Sequence, residues 1–235
     1  MCAHRLALLV LFLPLLPACH KKPPAVAETP PPMQSPNVAP TVALRPTYEL
    51  NGRPITAGTG FLIRDKSGKT YYLTAVHVMD ESEWRHVASV SLSTMGGEVV
   101  GTLQPPAIVH IGAPFDKASA ASDLVIAEAP VEKGTPVPIG TEDPKRNEWV
   151  WVAGMEMGRR GSGRFFRCTV VDGDSNGITL KQFDEFELRG FSGAPLLNAK
   201  GEVVGIVLGG KSTTVLCSKT SVLRQRITQA GIQLP

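Results

Sequence analysis

Aromatic residues are scarce in this chain, at 6% of positions, and no long stretch carries the charged helical pattern of a bundle. Set beside 23 glycines and 20 prolines, these shortages argue against a helical architecture and for many short strands punctuated by turns. The formal charge is only +3, and no basic stripe interleaved with aromatics appears, so no nucleic-acid partner is expected. Metal-ligand spacing is missing as well. There is no CxxC or HExxH, the 5 histidines are scattered, and neither a metal site nor a cofactor is expected. Histidine is also missing from one place that matters. His4, His20, His77, His86 and His110 all lie before residue 111, and none follows.

What is present begins with an export signature. MCAHR is a short n-region with one arginine, and LALLVLFLPLLPA is an apolar run too short to span a bilayer comfortably. Leu16-Pro17-Ala18-Cys19 resembles the lipobox of bacterial lipoproteins, which implies a signal peptide over 1–18 and lipidation of Cys19. Pro17 departs from the small or aliphatic residue usual there. The alternative is a plain secretory signal cut nearby. Residues 19–46 are proline-rich and lack either periodicity, as expected of an extended tether that cannot bury enough apolar surface to fold. The expected location is the bacterial cell envelope, with the lipid at Cys19 as membrane anchor.

The folded part is expected over 47–235. Asn51-Gly52 marks a hairpin, and Asp65-Lys66-Ser67-Gly68 separates two further apolar runs, the second of which, TYYLTAV, delivers His77 at its end. VASVSLST, GEVVGTLQ, EWVWVAG and the pair FFRCTVV and GITLK read as strands, and SKTSVLRQRITQAGI reads as a closing helix over about 221–230, with Ser221 as its cap. The turn-rich stretch VEKGTPVPIGTEDPKRN divides the domain near residue 136.

The chemistry centres on Arg189-Gly190-Phe191-Ser192-Gly193-Ala194-Pro195. Glycine on both sides of Ser192 permits the tight loop that exposes a nucleophilic oxygen and turns main-chain N–H groups toward a developing oxyanion. A serine nucleophile needs a base and an orienting acid. With every histidine upstream, the Ser…Asp…His order is impossible, and the order that remains with helpful context is His…Asp…Ser. Asp123 precedes the compact apolar run LVIA. The competing Asp116 is followed by Lys117 and small residues, as in a solvated loop.

GTGF…LTAVH, SDLVIA and GFSGAP, in this order and covering roughly residues 57–230, resemble the trypsin-like serine protease superfamily. The resemblance implies an all-β fold of two six-stranded Greek-key barrels of the chymotrypsin type, about 47–135 and 136–220, with a C-terminal helix. It also implies His77 as general base, Asp123 as its orienting acid, Ser192 as nucleophile and the N–H groups of Gly190 and Ser192 as oxyanion hole. Leu208, Gly209 and Gly210 would line the bound substrate. Two positions depart from the family pattern. Phe191 replaces the aspartate that pairs with a new N-terminal amine in enzymes made from zymogens, which argues against activation of that kind. Leu208 replaces a serine that many relatives use to support the buried aspartate. The expected activity is endopeptidase, with protein or peptide as partner. A non-enzymatic binding module on the same fold is the alternative, and an esterase a weaker one.

Cys2 and Cys19 fall in the export region, leaving Cys168 and Cys217 in the domain. In an exported protein, two cysteines on predicted strands are expected to form a disulfide, against the alternative of buried free thiols. Asp184, Glu185 and Glu187 lie close before Ser192. A carboxylate there would select a basic substrate side chain, whereas Phe186 would fill the pocket instead.

Overall fold

Asn51 and Gly52 both take positive φ, 53° and 73°, as the two-residue turns favoured by hairpins require. They close β1 (Leu44–Leu50) on β2 (Arg53–Thr56). The computed structural model describes residues 32, 34–115, 120, 122–159, 161–174 and 177–235. The signal peptide, Cys19 and nearly all of the first part of the tether lie outside the described residues, as does Asp116.

After β2 come β3 (Gly60–Arg64) and β4 (Thr70–Thr74), joined by a turn in which the Asp65 carboxylate accepts the N–H groups of Ser67 and Lys69, each at 2.9 Å. β5 (Val87–Thr94), β6 (Val99–Leu103), β7 (Ile108–Ile111) and β8 (Val125–Glu128) complete an 8-stranded antiparallel sheet. Its hydrogen-bonded order is β6-β5-β1-β3-β4-β8-β7, with β2 on the side of β1. This first half therefore differs from the expected six-stranded barrel. It has two more strands, and its ends, β6 and β7, are not hydrogen-bonded to each other. Alternation explains why it still curls around a core: β1 buries every second residue, and Tyr48, Tyr72, Trp84, Leu92 and Val125 are enclosed inside.

The second half is a closed barrel in the order β10-β11-β14-β13-β12-β9. Its strands are β9 (Trp149–Gly154), β10 (Arg164–Gly173), β11 (Gly177–Gln182), β12 (Pro195–Leu197), β13 (Val203–Lys211) and β14 (Thr214–Ser218). Helix α1 (Thr220–Gln229) follows. Fold class and closing helix are as expected: all-β, two-barrel, of the chymotrypsin type.

Four local outcomes differ from the sequence reading. The first strand begins at Leu44 rather than near Thr47, with Val42 and Ala43 already buried. The preceding residues lie along the second barrel, where Asn37 N–H donates to the Ala199 carbonyl at 3.3 Å. Ser221 does not cap α1. Lys219 holds the cap position, and Ser221 N–H and Oγ–H both donate to the Asp143 carboxylate, at 2.7 and 2.8 Å. Asp143 belongs to the crossing segment between the barrels, and its negative charge lies against the N-terminal turn, where the helix dipole favours it.

The disulfide is the fourth. Cys168 and Cys217 are free, buried thiols. Cys168 is on β10 and Cys217 on β14, with β11 between them, and they face β11 at Gln182 and Ile178, four positions apart. Two ladder spacings alone amount to about 10 Å, beyond the roughly 7 Å Cα separation a bridge can span. Both thiols pack in the second barrel's core as small apolar groups. Burial pushes Cys168 up to about 12, and burial, then the neighbouring thiol, pushes Cys217 well above its ordinary value.

A third apolar cluster joins the halves. Phe61, Leu73, Leu124 and Ile126 from the first meet Trp151, Ala153, Ile206 and Leu208 from the second, together with Leu223 and Ile227 of α1. The crossing segment reinforces this seam: Val137 N–H donates to the Leu62 carbonyl at 2.8 Å and Gly140 N–H to the Val203 carbonyl at 2.9 Å. Anything built from residues on both sides is thus held by a continuous packed interior.

Candidate active site

Each expected triad residue stands at the edge of a strand, fixed by it yet free of its ladder. β4 ends at Thr74, and a 3-10 turn over Val76–Val78 swings His77 out at the seam. Asp123 precedes β8 and is 1% exposed. Ser192 lies in the loop leading into β12. The three meet. His77 Nδ1 is 2.6 Å from Asp123 Oδ2, and His77 Nε2 is 2.7 Å from Ser192 Oγ. An ionised carboxylate only accepts, so the Nδ1–H donates to it, and Nε2 is left as acceptor for the Ser192 hydroxyl.

A carboxylate this buried needs its lone pairs filled. Val76 N–H donates to Asp123 Oδ1 at 2.6 Å and His77 N–H to the same oxygen at 3.2 Å. Phe115 N–H donates to Oδ2 at 3.1 Å. Leu208 offers no hydroxyl, and the main chain of the loop before Asp123 supplies the missing donor instead. The Phe115 ring also stands edge-on to His77, with centroids 5.2 Å apart, which restrains the imidazole's rotation.

The serine loop is strapped from the first half. Thr59 N–H donates to the Ser192 carbonyl at 2.8 Å, and Thr59 Oγ–H to the Gly190 carbonyl at 2.6 Å. Thr59 is itself buried, and its carbonyl accepts from Thr74 Oγ at 2.8 Å. Gly193 has φ +83°, and a Cβ there would come within 2.3 Å of the Thr59 carbonyl and 2.4 Å of Thr74 Oγ. Only glycine fits so close an approach.

Among the described residues, the N–H groups of Gly190 and Ser192 donate to no protein acceptor. The Arg189 carbonyl accepts from Met157 N–H at 3.1 Å. In a trans peptide the N–H points opposite to the carbonyl, so the Gly190 N–H faces away from Met157. The arrangement offers a polarised hydroxyl, an oriented imidazole and unpaired donors, which are the components of acyl transfer. No group of three or more His, Cys, Asp or Glu side chains converges as metal ligands would among the described residues.

A family model for the trypsin-like peptidase domain matches residues 58–206, a span that contains all three residues. The chain belongs to this family. Among solved structures, the active form of the Rv3671c protease from M. tuberculosis is similar at TM-score 0.58 and 19% identity, covering 89% of this chain and 94% of that one. The serine endoprotease from Yersinia pestis is similar at 0.58 and 17%, covering 82% and 63%. An inactive form of the Rv3671c protease gives 0.56 and 17%, over 82% and 90%. At these identities the likeness is one of fold. No curated protein matches the chain. The family match supports a peptidase role.

Elsewhere in this peptidase domain, Leu208, Gly209 and Gly210 run along the end of β13. The Leu208 side chain is buried in the seam, and a Cβ on Gly209 would touch the Phe115 ring at 3.6 Å. Phe191 is fully buried, with ring centroids 4.9 Å from Phe186 and 5.3 Å from Phe166. An aromatic cluster therefore surrounds Phe191, where the sequence carries no ion-pairing aspartate. Asp184 does not face the site. It accepts Arg167 Nη2 at 2.7 Å, Nε at 3.0 Å and main-chain N–H at 2.7 Å, and these bonds hold its carboxyl below the usual range while raising Arg167. His110 is on β7, apart from the triad. Burial, then the Arg226 charge, lowers its pKa.

Three residues at the site escaped sequence reasoning. Thr59 was within reach, since GTGF places a hydroxyl between glycines at a strand entry. Thr74 and Phe115 carried no signal, because their roles arise from contacts across the seam and from a main-chain N–H.

Proposed function

We propose that this protein is a serine endopeptidase acting through Ser192, His77 and Asp123, with an acyl-enzyme intermediate. The observation that carries the reading is His77 bridging a buried carboxylate and a serine hydroxyl at 2.6 and 2.7 Å. Ser192 Oγ attacks the scissile carbonyl while His77 Nε2 takes its proton. Asp123 holds the tautomer and offsets the imidazolium charge. The oxyanion is taken up by the N–H groups of Gly190 and Ser192, a role supported by their donating to no protein acceptor among the described residues. Collapse breaks the C–N bond, and the departing amine takes the proton from Nε2. Water, deprotonated by the same nitrogen, then hydrolyses the ester and restores the serine. Leu208, Gly209 and Gly210 present main chain along which an extended substrate lies. In the same reading, lipid on Cys19 tethers the domain to the bacterial envelope, with residues 19–46 as spacer, and the substrates are proteins or peptides that reach that surface.

The test is the purified chain offered a fluorophosphonate probe and a broad peptide library. A Ser192 adduct that vanishes in Ser192→Ala and His77→Ala, together with peptide cleavage, is expected. A folded protein with neither adduct nor cleavage leaves the binding module as the better reading. Ester turnover without peptide turnover leaves the esterase.

A further inference from the structure

The two peptides that meet at Gly190 are held in different ways. The Gly190–Phe191 peptide is bonded at both of its polar groups: the Gly190 carbonyl accepts Thr59 Oγ–H at 2.6 Å, and Phe191 N–H donates to the Leu188 carbonyl at 3.0 Å. The Arg189–Gly190 peptide has its carbonyl on Met157 N–H at 3.1 Å. This second peptide carries the Gly190 N–H, and its residues leave it free to turn over. Gly190 has φ +94°, and a half-turn of the peptide would bring φ to negative values, which glycine enters as readily. Local sterics therefore do not choose whether N–H or carbonyl faces the reacting carbon. The hydrogen bond from Met157 does, because after a half-turn two N–H donors would confront each other.

Met157 belongs to the loop after β9, and one side chain of that loop reaches the segment before Ser192. The Glu156 carboxylate accepts Glu187 N–H at 3.0 Å through Oε1. Its Oε2 pairs with the Arg159 guanidinium, and the Glu156 carbonyl accepts Arg159 N–H at 3.3 Å. The Glu156 side chain is 12% exposed and that of Arg159 67%. The ion pair is thus largely solvated and contributes little, whereas the bond to the Glu187 main chain is charge-assisted. From the first half, Arg45 Nη2 donates to the Met155 carbonyl at 3.1 Å and fixes the root of the loop. Residues 156–157 and 187–189 therefore meet at two points, Glu156 Oε1 with Glu187 N–H and Met157 N–H with the Arg189 carbonyl. They lie close: a Cβ on Gly190 would come within 3.2 Å of Met157 Cβ.

We propose that Glu156 is a positioning residue for the oxyanion donors. By holding Glu187 against the loop after β9, it keeps the Arg189 carbonyl on Met157 N–H and the Gly190 N–H turned away from Met157, toward the carbonyl attacked by Ser192. This rests on Ser192 being the nucleophile and Gly190 an oxyanion donor. Glu156 touches no reacting atom and acts through two main-chain groups. When its grip is lost, the peptide populates the turned-over state, in which the Arg189 carbonyl oxygen faces the developing oxyanion and repels it. Removing a whole oxyanion donor costs about 10²–10³ in kcat, and a weakened hold, with Met157 N–H still present, costs about tenfold to a hundredfold.

The experiment compares Glu156→Gln, Glu156→Asp and Glu156→Ala in the full chain, by peptide turnover and by the rate of fluorophosphonate labelling at Ser192. Glu156→Gln keeps the reach and an acceptor oxygen but loses the charge. Glu156→Asp keeps the charge, leaves no large cavity and is one methylene too short. Glu156→Asp and Glu156→Ala should lose about tenfold or more in kcat with KM within about twofold of the wild type, and labelling should slow in step. Glu156→Gln and Arg159→Ala should stay within about threefold of the wild type. The pH profile of kcat/KM should keep its shape in every variant, since no triad bond is touched. Wild-type kcat in folded Glu156→Asp, a loss confined to KM, or an equal loss in Glu156→Gln and Glu156→Asp overturns the positioning role and leaves the nucleophile standing. Absence of labelling in the folded wild type takes down both.

Discussion

Replacing Phe191 tests whether an apolar anchor holds the serine loop. The ring is fully buried, meets Phe186 and Phe166 at centroid distances of 4.9 and 5.3 Å, and lies on Gly154, where a Cβ would approach it to 2.7 Å. Phe191→Ala removes a filled core volume walled by closed-barrel strands that relax little. Its expected cost is about 3–5 kcal/mol, a large share of the 5–15 kcal/mol typical of a domain. Phe191→Asp places a carboxyl in the same apolar space, among Phe166 and Phe186, and burial raises its pKa in the folded state above about 3.9. The sign follows. A folded-state pKa raised above the unfolded value contributes stability below the unfolded pKa and loses it as pH rises. Phe191→Asp should therefore match Phe191→Ala near pH 4 and fall progressively below it toward pH 8, a divergence the wild type lacks at this position. Urea melts at pH 4, 6 and 8 read the difference directly, with midpoint and slope reported separately. Because Phe191 adjoins both Gly190 and Ser192, labelling of Ser192 should slow in Phe191→Ala even where it is fully folded. A loss below about 1 kcal/mol in Phe191→Ala, or equal stability of the two variants at pH 8, would refute the anchor.

Four further outcomes are expected. Ser192→Ala and His77→Ala should each lower peptide turnover by several orders of magnitude, and the double variant little more, because the residues act as a unit; Asp123→Asn should also be severe through the wrong imidazole tautomer. Gly193→Ala should cost about 2–5 kcal/mol by combining left-handed strain with overpacking against Thr59 and Thr74, measured by denaturant unfolding, and a neutral effect would contradict the close approach. Cys168 ionises only near 12 against an ordinary 9.0, so both thiols should resist alkylation in the native protein at pH 8 and titrate after unfolding. The same shift means that this contribution to stability is present below pH 9 and is lost as pH rises toward 12; two thiols blocked in unreduced, unfolded protein would show a bridge instead. Cys19→Ser should release the domain from detergent-extracted membranes into the soluble fraction, and continued membrane residence would rule out the lipid tether.

The sequence by itself determined the strand-rich class, the hairpin at Asn51-Gly52, the closing helix and the identity of the three residues that meet. Those readings depend on local chemistry and on order along the chain. Turn residues declare their own backbone angles, alternation declares a buried face, and the absence of histidine after Ser192 removes the Ser…Asp…His order, leaving the context of His77 and Asp123 to choose His…Asp…Ser. The tertiary structure decided everything that depends on which strands become neighbours. Cys168 and Cys217 looked like partners by compartment and count, but β11 lies between them. Ser221 looked like a cap, but the charge on Asp143, from 78 residues upstream, holds that turn. The sequence left open whether Asp184, Glu185 or Glu187 selects a basic side chain or Phe186 fills the pocket, and the structure pairs Asp184 with Arg167 across a barrel hairpin. The loss of a hydroxyl at Leu208 looked like a gap in the support of Asp123, and a main-chain N–H at Phe115 fills it. A main-chain donor is present at almost every residue, so no sequence pattern marks the one that folding aims at a buried carboxylate.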